Sequence, residues 1–358
     1  MSKVLKYSIV ILLCNVFVSC MVKKERQENS TENDSKNYFT NPISRGADPW
    51  VIKHNRNYYF CSSGEKDGQN FISVSESSSL VNPGKRKRVF ASPETGWNST
   101  NIWAPELHHY NGKWYIYYAA GKSGPPYLYQ RTGVLESVSN DPQGDYIDKG
   151  VLITGEDSDD YVGTIWAIDL TMTEVDGQLY GIWSGWEENV ATHKTPQYLY
   201  ISKMSNPYTI SSERVKISSP EEEWETGGPL NLNEGPEILK HNGDIFIIYS
   251  TRESWTPEYR LGQLKLKKDS DPMVAENWSK KGPVFVGNEI VHGVGHASFT
   301  TSPDDTESWI IYHSKVSTKP GWNRNVRAQQ FFWDENGDPI FGKPVQSGLL
   351  LKEPSRNN

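Results

Sequence analysis

Five residues with acid–base side chains stand at corresponding places in five similar segments of the sequence. They are Asp48, Glu106, Asp169, Glu234 and His296. Carboxyl groups that meet in one pocket raise one another's pKa, so such a cluster is costly unless it has a chemical role. Hydrolysis of a glycosidic bond needs a carboxylic acid to protonate the leaving oxygen and a carboxylate to activate water or attack directly. A third acid can orient the proton donor and raise its pKa.

Each segment consists of a polar head, a strand, a turn and a strongly aromatic second strand. Most apolar runs are short and bounded by Gly, Asn, Asp or Pro, which is typical of strands. Three turns carry Asn-Gly or Asp-Gly, at 111–112, 176–177 and 242–243, and these pairs favour tight hairpins. The second strands align at spacings of 57, 65, 66 and 63 positions on Tyr58, Tyr115, Tyr180, Phe246 and Trp309.

Five similar units of about 60 residues predict an all-β, five-bladed β-propeller over residues 38–352. The length of 358 residues first suggests two domains, but five such blades account for nearly all of it as one. A double-sheet sandwich is the alternative, although its turns should recur every 8–12 residues without the longer period. The first strand of each propeller blade lines the central channel. The five heads are therefore expected to converge at one mouth of that channel.

The N-terminus has the features of a secretory segment, which we expect to be a lipoprotein-type signal peptide over residues 1–19. Lys3 and Lys6 precede 12 mostly apolar residues, too few to span a bilayer as a helix. The ending Phe-Val-Ser-Cys resembles a bacterial lipoprotein signal, with Cys20 as the lipidated residue; plain secretion is the alternative. Polar residues 20–37 are expected to form a disordered tether, and 353–358 a C-terminal tail. These features predict an exported protein, lipid-anchored at a bacterial membrane, whose anchor is its only membrane contact.

Composition excludes some partners. The formal net charge is −7, and the densest cationic run has four residues, 85–88, so nucleic acid is not an expected partner. The chain has 13 Trp, 19 Tyr and 11 Phe, which serve equally in strands and in sugar-binding clefts. Cys61 would remain without a partner for an intramolecular disulfide once Cys14 is cleaved away and Cys20 is lipidated.

Four short motifs carry a family resemblance. Residues 47–51 (ADPWV), 102–106 (IWAPE), 167–170 (AIDL) and 233–237 (NEGPE) resemble glycoside hydrolase family 43. This resemblance implies a five-bladed propeller that acts on arabinose- and xylose-containing polysaccharides. Residues 295–299 (GHASF), 308–313 (SWIIYH) and 327–329 (RAQ) are similar to the α-L-arabinofuranosidase branch.

The resemblance also implies roles and an inverting mechanism. Asp48 would be the general base, Glu234 the general acid, and Asp169 the residue that raises the pKa of the acid and orients it. We therefore expect the Asp48 and Glu234 carboxyl groups to lie about 6.5–9.5 Å apart, the separation that admits a water molecule.

Other residues are candidates for substrate binding. Trp103 and Trp166 would stack on sugar or belong to the blade core. His296 would bind substrate, or hold a water molecule or a structural Ca²⁺ at the channel centre as in some family members. Arg327 would bond sugar hydroxyls or a catalytic carboxylate, or form an ion pair in an outer blade. Glu106 receives no role, Glu237 is expected to be structural, and His313 to be a satisfied core histidine.

The predicted function is inverting removal of terminal α-L-arabinofuranosyl units from plant cell-wall polysaccharides. No organic cofactor is needed for this reaction. A β-xylosidase or an exo-galactosidase of the same family is the alternative within enzymes. A carbohydrate-binding propeller without catalysis is the alternative outside them, but such a module would not need Asp48, Asp169 and Glu234 together.

Overall fold

The computed structural model describes residues 37–156, 161–192 and 194–357. The predicted signal peptide, the lipidation site Cys20 and the tether as far as residue 36 lie outside these ranges. Within them the structure is almost entirely β, and the only helical elements described are two 3₁₀ turns, Tyr161–Gly163 and Ala275–Asn277. No helix in this part of the chain has the length and apolar character needed to cross a membrane.

Short strands make up the described chain, as the apolar runs predict. In chain order they are β1 (Tyr38–Thr40), β2 (Ser44–Arg45), β3 (Trp50–His54), β4 (Asn57–Lys66), β5 (Gln69–Ser77), β6 (Arg86–Ala91), β7 (Thr100–Tyr110), β8 (Lys113–Gly121), β9 (Arg131–Ser137), β10 (Tyr146–Val151), β11 (Ala167–Val175), β12 (Gln178–Gly185), β13 (Tyr198–Asn206), β14 (Thr209–Ile210), β15 (Val215–Ser218), β16 (Asn233–His241), β17 (Asp244–Thr251), β18 (Arg260–Leu266), β19 (Trp278–Val286), β20 (His292–Thr301), β21 (Ser308–Lys315), β22 (Arg324–Trp333), β23 (Pro339–Ile340) and β24 (Leu350–Lys352).

Five antiparallel sheets form the blades of a propeller, which confirms the predicted fold. They are β3–β6, β7–β10, β11–β15, β16–β19, and β20–β22 with β2 as the outermost strand and β23 beside β22. The innermost strands β3, β7, β11, β16 and β20 contact one another in that order, and β20 contacts β3. The ring therefore closes around a central channel, and residues on these five strands can meet there.

An N-terminal strand completes the fifth blade. Ser44 and Arg45 of β2 pair with β22, and Ile43 donates its backbone N–H to the Val326 carbonyl at 2.9 Å. Asn41 extends this pairing with its side-chain amide, which bonds both the carbonyl and the N–H of Ala328 at 2.8 and 2.9 Å. The first and last parts of the propeller are thus joined in one sheet, directly before the chain enters the channel.

The hairpin turns and the aromatic strands behave as their sequences predict. Both residues of the turns at 111–112, 176–177 and 242–243 have positive φ, between 49° and 87°. The aromatic run 114–118 on β8 is buried, with Trp114 packed against blade 1 and Tyr115 and Tyr117 packed against residues of blade 3. Most of the aromatic excess therefore belongs to packing between blades.

A small separate unit comprises the described residues up to Thr40 together with Gly348–Glu353. In it β1 and β24 form a two-stranded antiparallel sheet, with Phe39 opposite Leu351.

A left-handed residue marks the head of every innermost strand. These residues are Asp48 (φ 48°), Ala104 (41°), Asp169 (54°), Gly235 (54°) and His296 (45°). In blades 2 to 5 the strand pairing shifts register at this point. Such a bulge redirects the side chains beside it. The structure thereby corrects the alignment of the heads, because Glu106 lies two residues past the left-handed position and Glu234 one residue before it.

Candidate active site

One cavity of about 340 Å³ lies at the mouth of the channel, a size typical of sites for small ligands. It is lined by six of the predicted site residues: Asp48, Trp103, Trp166, Asp169, Glu234 and His296. All five blades contribute to this lining. In blade order the contributing residues are Asp48, Trp103 with Ala104, Asp169, Glu234 and His296. The closure of the propeller therefore brings together side chains that are up to about 250 positions apart in the sequence.

Asp48 is held as a carboxylate. Its Oδ1 accepts a hydrogen bond from Arg324 Nη1 at 3.2 Å and lies 3.2 Å from His313 Nδ1 and 3.6 Å from His296 Nδ1. Burial raises its pKa, but Arg324 and the two imidazoles outweigh burial and hold that pKa well below its usual range. A group that stays ionised at ordinary pH values is always in the form that can accept a proton from water.

Glu234 lies in the opposite environment. It is buried, and Tyr259 donates its hydroxyl hydrogen to Oε1 at 2.9 Å. Burial raises the pKa of Glu234 well above the usual range, and the neighbouring charges of Asp169 and Asp48 raise it further against the opposing effect of Tyr259. Glu234 is therefore protonated where Asp48 is ionised, which is the division of roles that acid–base catalysis on a glycosidic bond requires.

Asp169 is joined to the acid through the backbone. Its Oδ2 accepts the N–H of Gly235, the residue after Glu234, at 3.0 Å. Burial and the charge of Asp48 raise the pKa of Asp169, whereas His296 and the Gly235 N–H lower it. The carboxyl group thus sits where its charge acts on Glu234 and where its hydrogen bond fixes the bulge that carries Glu234.

Aromatic side chains form the wall of the cavity. Trp166 is buried and stacks on Trp186 with 4.7 Å between ring centroids and 5° between planes, and its Nε1 donates to the Tyr127 carbonyl at 2.8 Å. Trp103 is partly exposed and meets Tyr127 edge to face at 4.8 Å. Trp103 therefore presents part of its surface to a ligand, while Trp166 lines the cavity with little exposed surface and is supported by Trp186.

The cation in the cavity is Arg324, not Arg327, and this corrects the role suggested for Arg327. The Arg327 guanidinium is buried in blade 5, where it donates to Ser314 Oγ, the Val345 carbonyl and Ser347 Oγ at 2.6–2.9 Å. It is outside the cavity lining. Its partners are hydroxyl and carbonyl oxygens, and it forms no ion pair with any residue that the structure describes, so the alternative of an outer ion pair is not observed either.

Glu106 lies deeper in the channel than the catalytic cavity. It is buried against Glu237, and burial is the main cause that raises the pKa of both carboxyl groups well above the usual range. The charge of Glu106 raises the pKa of Glu237 further, whereas the hydrogen bond with Glu237 lowers that of Glu106. His108 Nε2 lies 2.9 Å from Glu106 Oε2, and burial lowers the pKa of His108 to about 3, so this imidazole is neutral. Glu237 is thus half of a buried carboxyl pair, and its structural role stays a prediction.

His313 and Tyr259 are site residues that sequence reasoning missed. His313 was expected to be a satisfied core histidine, but it contacts the predicted base: its Nδ1 accepts the backbone N–H of Asp48 at 3.2 Å. Burial lowers the pKa of His313 to about 4. Tyr259 stacks on His313 with 5.3 Å between centroids. His313 does stand in one of the resembling motifs, which is a usable signal, whereas Tyr259 lies in a loop before β18 with no signal of its own.

The donors around His296 do not fit a calcium site. Calcium takes six to eight oxygen ligands, whereas His296 offers a ring nitrogen and faces Asp48, whose carboxylate already bonds Arg324. No cluster of three or more His, Cys, Asp or Glu side chains within the described ranges is arranged to hold a metal ion.

Curated proteins of similar sequence carry arabinofuranosidase names. The chain is 33% identical over 324 residues to the extracellular exo-α-(1→5)-L-arabinofuranosidase of Streptomyces avermitilis, covering 87% of this chain and 64% of that protein. It is 32% identical over 283 residues to the protein of the same name from Streptomyces chartreusis, covering 77% of this chain and 82% of the relative. The chain thus spans slightly less than two thirds of the Streptomyces avermitilis protein.

Solved structures agree with these relatives. The crystal structure of an α-L-arabinofuranosidase from Lactobacillus brevis is 30% identical and superposes with a TM-score of 0.77, over 87% of this chain and 98% of that one. A thermostable family-43 glycoside hydrolase superposes with a TM-score of 0.71 at 25% identity, over 89% and 100% of the two chains. The sequence pattern of glycosyl hydrolases family 43 matches residues 39–339. The chain belongs to glycosyl hydrolase family 43.

Proposed function

We propose that this chain is an inverting α-L-arabinofuranosidase that removes terminal arabinofuranosyl units from plant cell-wall polysaccharides. The observation that carries the proposal is the contrast between two carboxyl groups in one cavity. Cationic and imidazole neighbours keep Asp48 ionised, while burial and a neighbouring charge keep Glu234 protonated. The printed names of the relatives from both Streptomyces species support arabinose as the sugar.

The reaction proceeds in one displacement. Asp48 accepts a proton from a water molecule as the water oxygen attacks the anomeric carbon, and Glu234 gives its proton to the glycosidic oxygen as that bond breaks. Asp169 keeps the pKa of Glu234 high and fixes the Gly235 bulge. These groups and water are sufficient, and the reaction needs no organic cofactor. A separation of about 6.5–9.5 Å between the Asp48 and Glu234 carboxyl groups remains a prediction of this mechanism.

A substrate panel with product stereochemistry tests the proposal. The purified protein is assayed on the nitrophenyl glycosides of α-L-arabinofuranose, β-D-xylose and β-D-galactose, and NMR follows the first anomer released. We expect cleavage of the arabinofuranoside with inversion, and loss of at least about 10³-fold in kcat for Asp48→Ala. Cleavage of the xyloside or the galactoside alone would contradict arabinofuranose as the substrate. Retention of configuration would contradict the inverting mechanism. Binding without cleavage would indicate a non-catalytic module.

We also propose export and lipid anchoring. The two Streptomyces relatives are named extracellular, and residues 1–20 have the pattern of a lipoprotein signal. In a bacterial host the full chain should partition with membranes, and Cys20→Ala should appear in the soluble fraction. Membrane association of the Cys20→Ala protein would contradict the anchor but not the glycosidase.

A further inference from the structure

Trp322 is unusual among the tryptophans of this chain. All 13 tryptophans lie in the described residues, and Trp322 is the only exposed one among them, with 57% of its surface accessible. Single exposed apolar side chains are common on protein surfaces, but an exposed ring beside a ligand cavity can contact what binds there. Trp322 also lines the cavity that holds Asp48 and Glu234. The exposed ring is therefore at the mouth of the catalytic site.

Several contacts fix this ring in place. Trp255 lies beside Trp322 with 5.2 Å between ring centroids, and Gly321 donates its backbone N–H to the Trp255 carbonyl at 2.8 Å. Lys315 bonds the Gly321 carbonyl from below. We call Trp255 and Trp322 the tryptophan rim. Its two rings come from separate loops, β17–β18 and β21–β22, and these loops are joined by a backbone hydrogen bond.

Residues beside the tryptophan rim contact both catalytic carboxyl groups. Arg324 lies 5.5 Å from the Trp322 ring and bonds Asp48 at 3.2 Å. Tyr259, four residues after Trp255, bonds Glu234. The carboxyl groups of Asp48 and Glu234 line the inner part of the cavity, where the sugar that is cut off must lie. The other side of the scissile bond must then extend toward the open mouth, where Trp322 stands.

We propose that the tryptophan rim is a leaving-group subsite that binds the second sugar ring of an uncharged oligosaccharide. This inference rests on the proposed function. An indole face covers the apolar C–H face of a sugar and removes both from water. A neutral ring fits because Arg324, the cation that contacts the Trp322 ring, is already paired with Asp48, and Lys315 bonds the Gly321 carbonyl. The rim thus selects substrates in which the terminal unit is attached to another sugar.

Substrates that differ only in the leaving group test this subsite. Methyl α-L-arabinofuranoside has no second ring, whereas arabinotriose does. Trp322→Ala should lower kcat/KM for arabinotriose about tenfold, equivalent to about 1.4 kcal/mol, and change that for the methyl glycoside less than twofold. Trp322→Phe, which keeps an aromatic face, should retain most of the activity on arabinotriose. Phe332→Ala removes an aromatic ring of similar exposure (59%) outside the cavity and should change neither.

Two outcomes would overturn the proposal. Equal losses on both substrates would mean that Trp322 acts through Arg324 and Asp48 rather than on a second sugar. Unchanged kcat/KM on arabinotriose would mean that no ring binds at the rim. Failure of the proposed function is distinguishable from both, because the wild-type protein would then cleave neither arabinoside.

Discussion

The Tyr259 hydroxyl donates a hydrogen bond to Oε1 of Glu234 at 2.9 Å, and this contact determines which carboxyl oxygen can carry the acidic proton. Because Oε1 of Glu234 accepts the Tyr259 hydrogen, the acidic proton is carried by Oε2. The Tyr259 ring stacks on His313, within 9° of parallel, and His313 in turn accepts the Asp48 backbone N–H. One aromatic pair therefore positions the acid and the base relative to each other.

Removal of this hydroxyl should impair proton donation more than binding. In Tyr259→Phe, kcat on arabinobiose should fall at least about tenfold, since a positioned general acid contributes about 10²–10⁴-fold. A dinitrophenyl arabinofuranoside, whose leaving group needs no proton, should lose much less. Tyr259 lowers the pKa of Glu234, so its loss should move the alkaline limb of the kcat profile to higher pH.

A second buried tyrosine provides the control. Tyr312 donates its hydroxyl hydrogen to Gln329 in blade 5, so Tyr312→Phe removes a comparable bond away from the cavity. It should lower stability without changing the ratio of activities on the two substrates. An equal loss on both substrates in Tyr259→Phe would show that Tyr259 has only a structural role.

Loss of the Arg324 charge should move the acid limb of the profile of kcat/KM against pH to higher pH. Asp48 must be ionised to accept a proton, and Arg324 is the first of the neighbours that offset burial to lower its pKa. In Arg324→Met the pKa of Asp48 should rise, so kcat/KM should decline at a higher pH on the acid side than in the wild type. Arg324→Lys, which keeps the charge, should move the limb less. An acid limb that is unchanged or lower in Arg324→Met would contradict this prediction.

The fold and part of the site follow from local sequence patterns. Turns such as Asn111-Gly112 and the period of about 60 residues depend on short segments, so they predict blades and the convergence of Asp48, Asp169 and Glu234. The exact position of each bulge is different, because no residue type announces where a strand inserts a residue into its pairing. Glu106 lies two residues past the bulge at Ala104, the position that Glu237 has in blade 4, and so it is outside the cavity lining.

Strand geometry explains why the wrong arginine was predicted. Residues three apart on a strand point to opposite faces, since side chains alternate with a period of two. Arg324 and Arg327 both lie on β22, so only one of them can face Asp48. Choosing between them requires the register of β22 against β2 and β21. That register is set by contacts nearly 280 positions apart in the sequence.

The buried pair of Glu106 and Glu237 should make stability depend on pH. Both pKa values are raised in the folded state. The folded state therefore binds more protons than the unfolded one above about pH 4.3, and stability should fall as pH rises from there. Glu237→Gln should be more stable than the wild type at pH 8.5, with little difference between them at pH 4.

Urea unfolding at the two pH values measures this difference. Glu335→Gln changes an exposed acid in a turn and should behave like the wild type at both. A stability difference between Glu237→Gln and the wild type that is the same at pH 4 and pH 8.5 would indicate altered packing rather than relief of a raised pKa.

Asn41 should be essential for holding the fifth blade closed. Asn41→Ala leaves the N–H and carbonyl of Ala328 buried without the bonds that the Asn41 amide supplies, at about 1–3 kcal/mol each. The free energy of unfolding in urea should fall by about 2–6 kcal/mol, the sum of the two losses. Because β2 leads directly to Asp48, activity should be lost at a lower temperature, while kcat at 25 °C stays close to wild type. Asn140→Ala, at an exposed position, is the control; equal stability of the two variants would show that the strand pairing of β2 alone closes the ring.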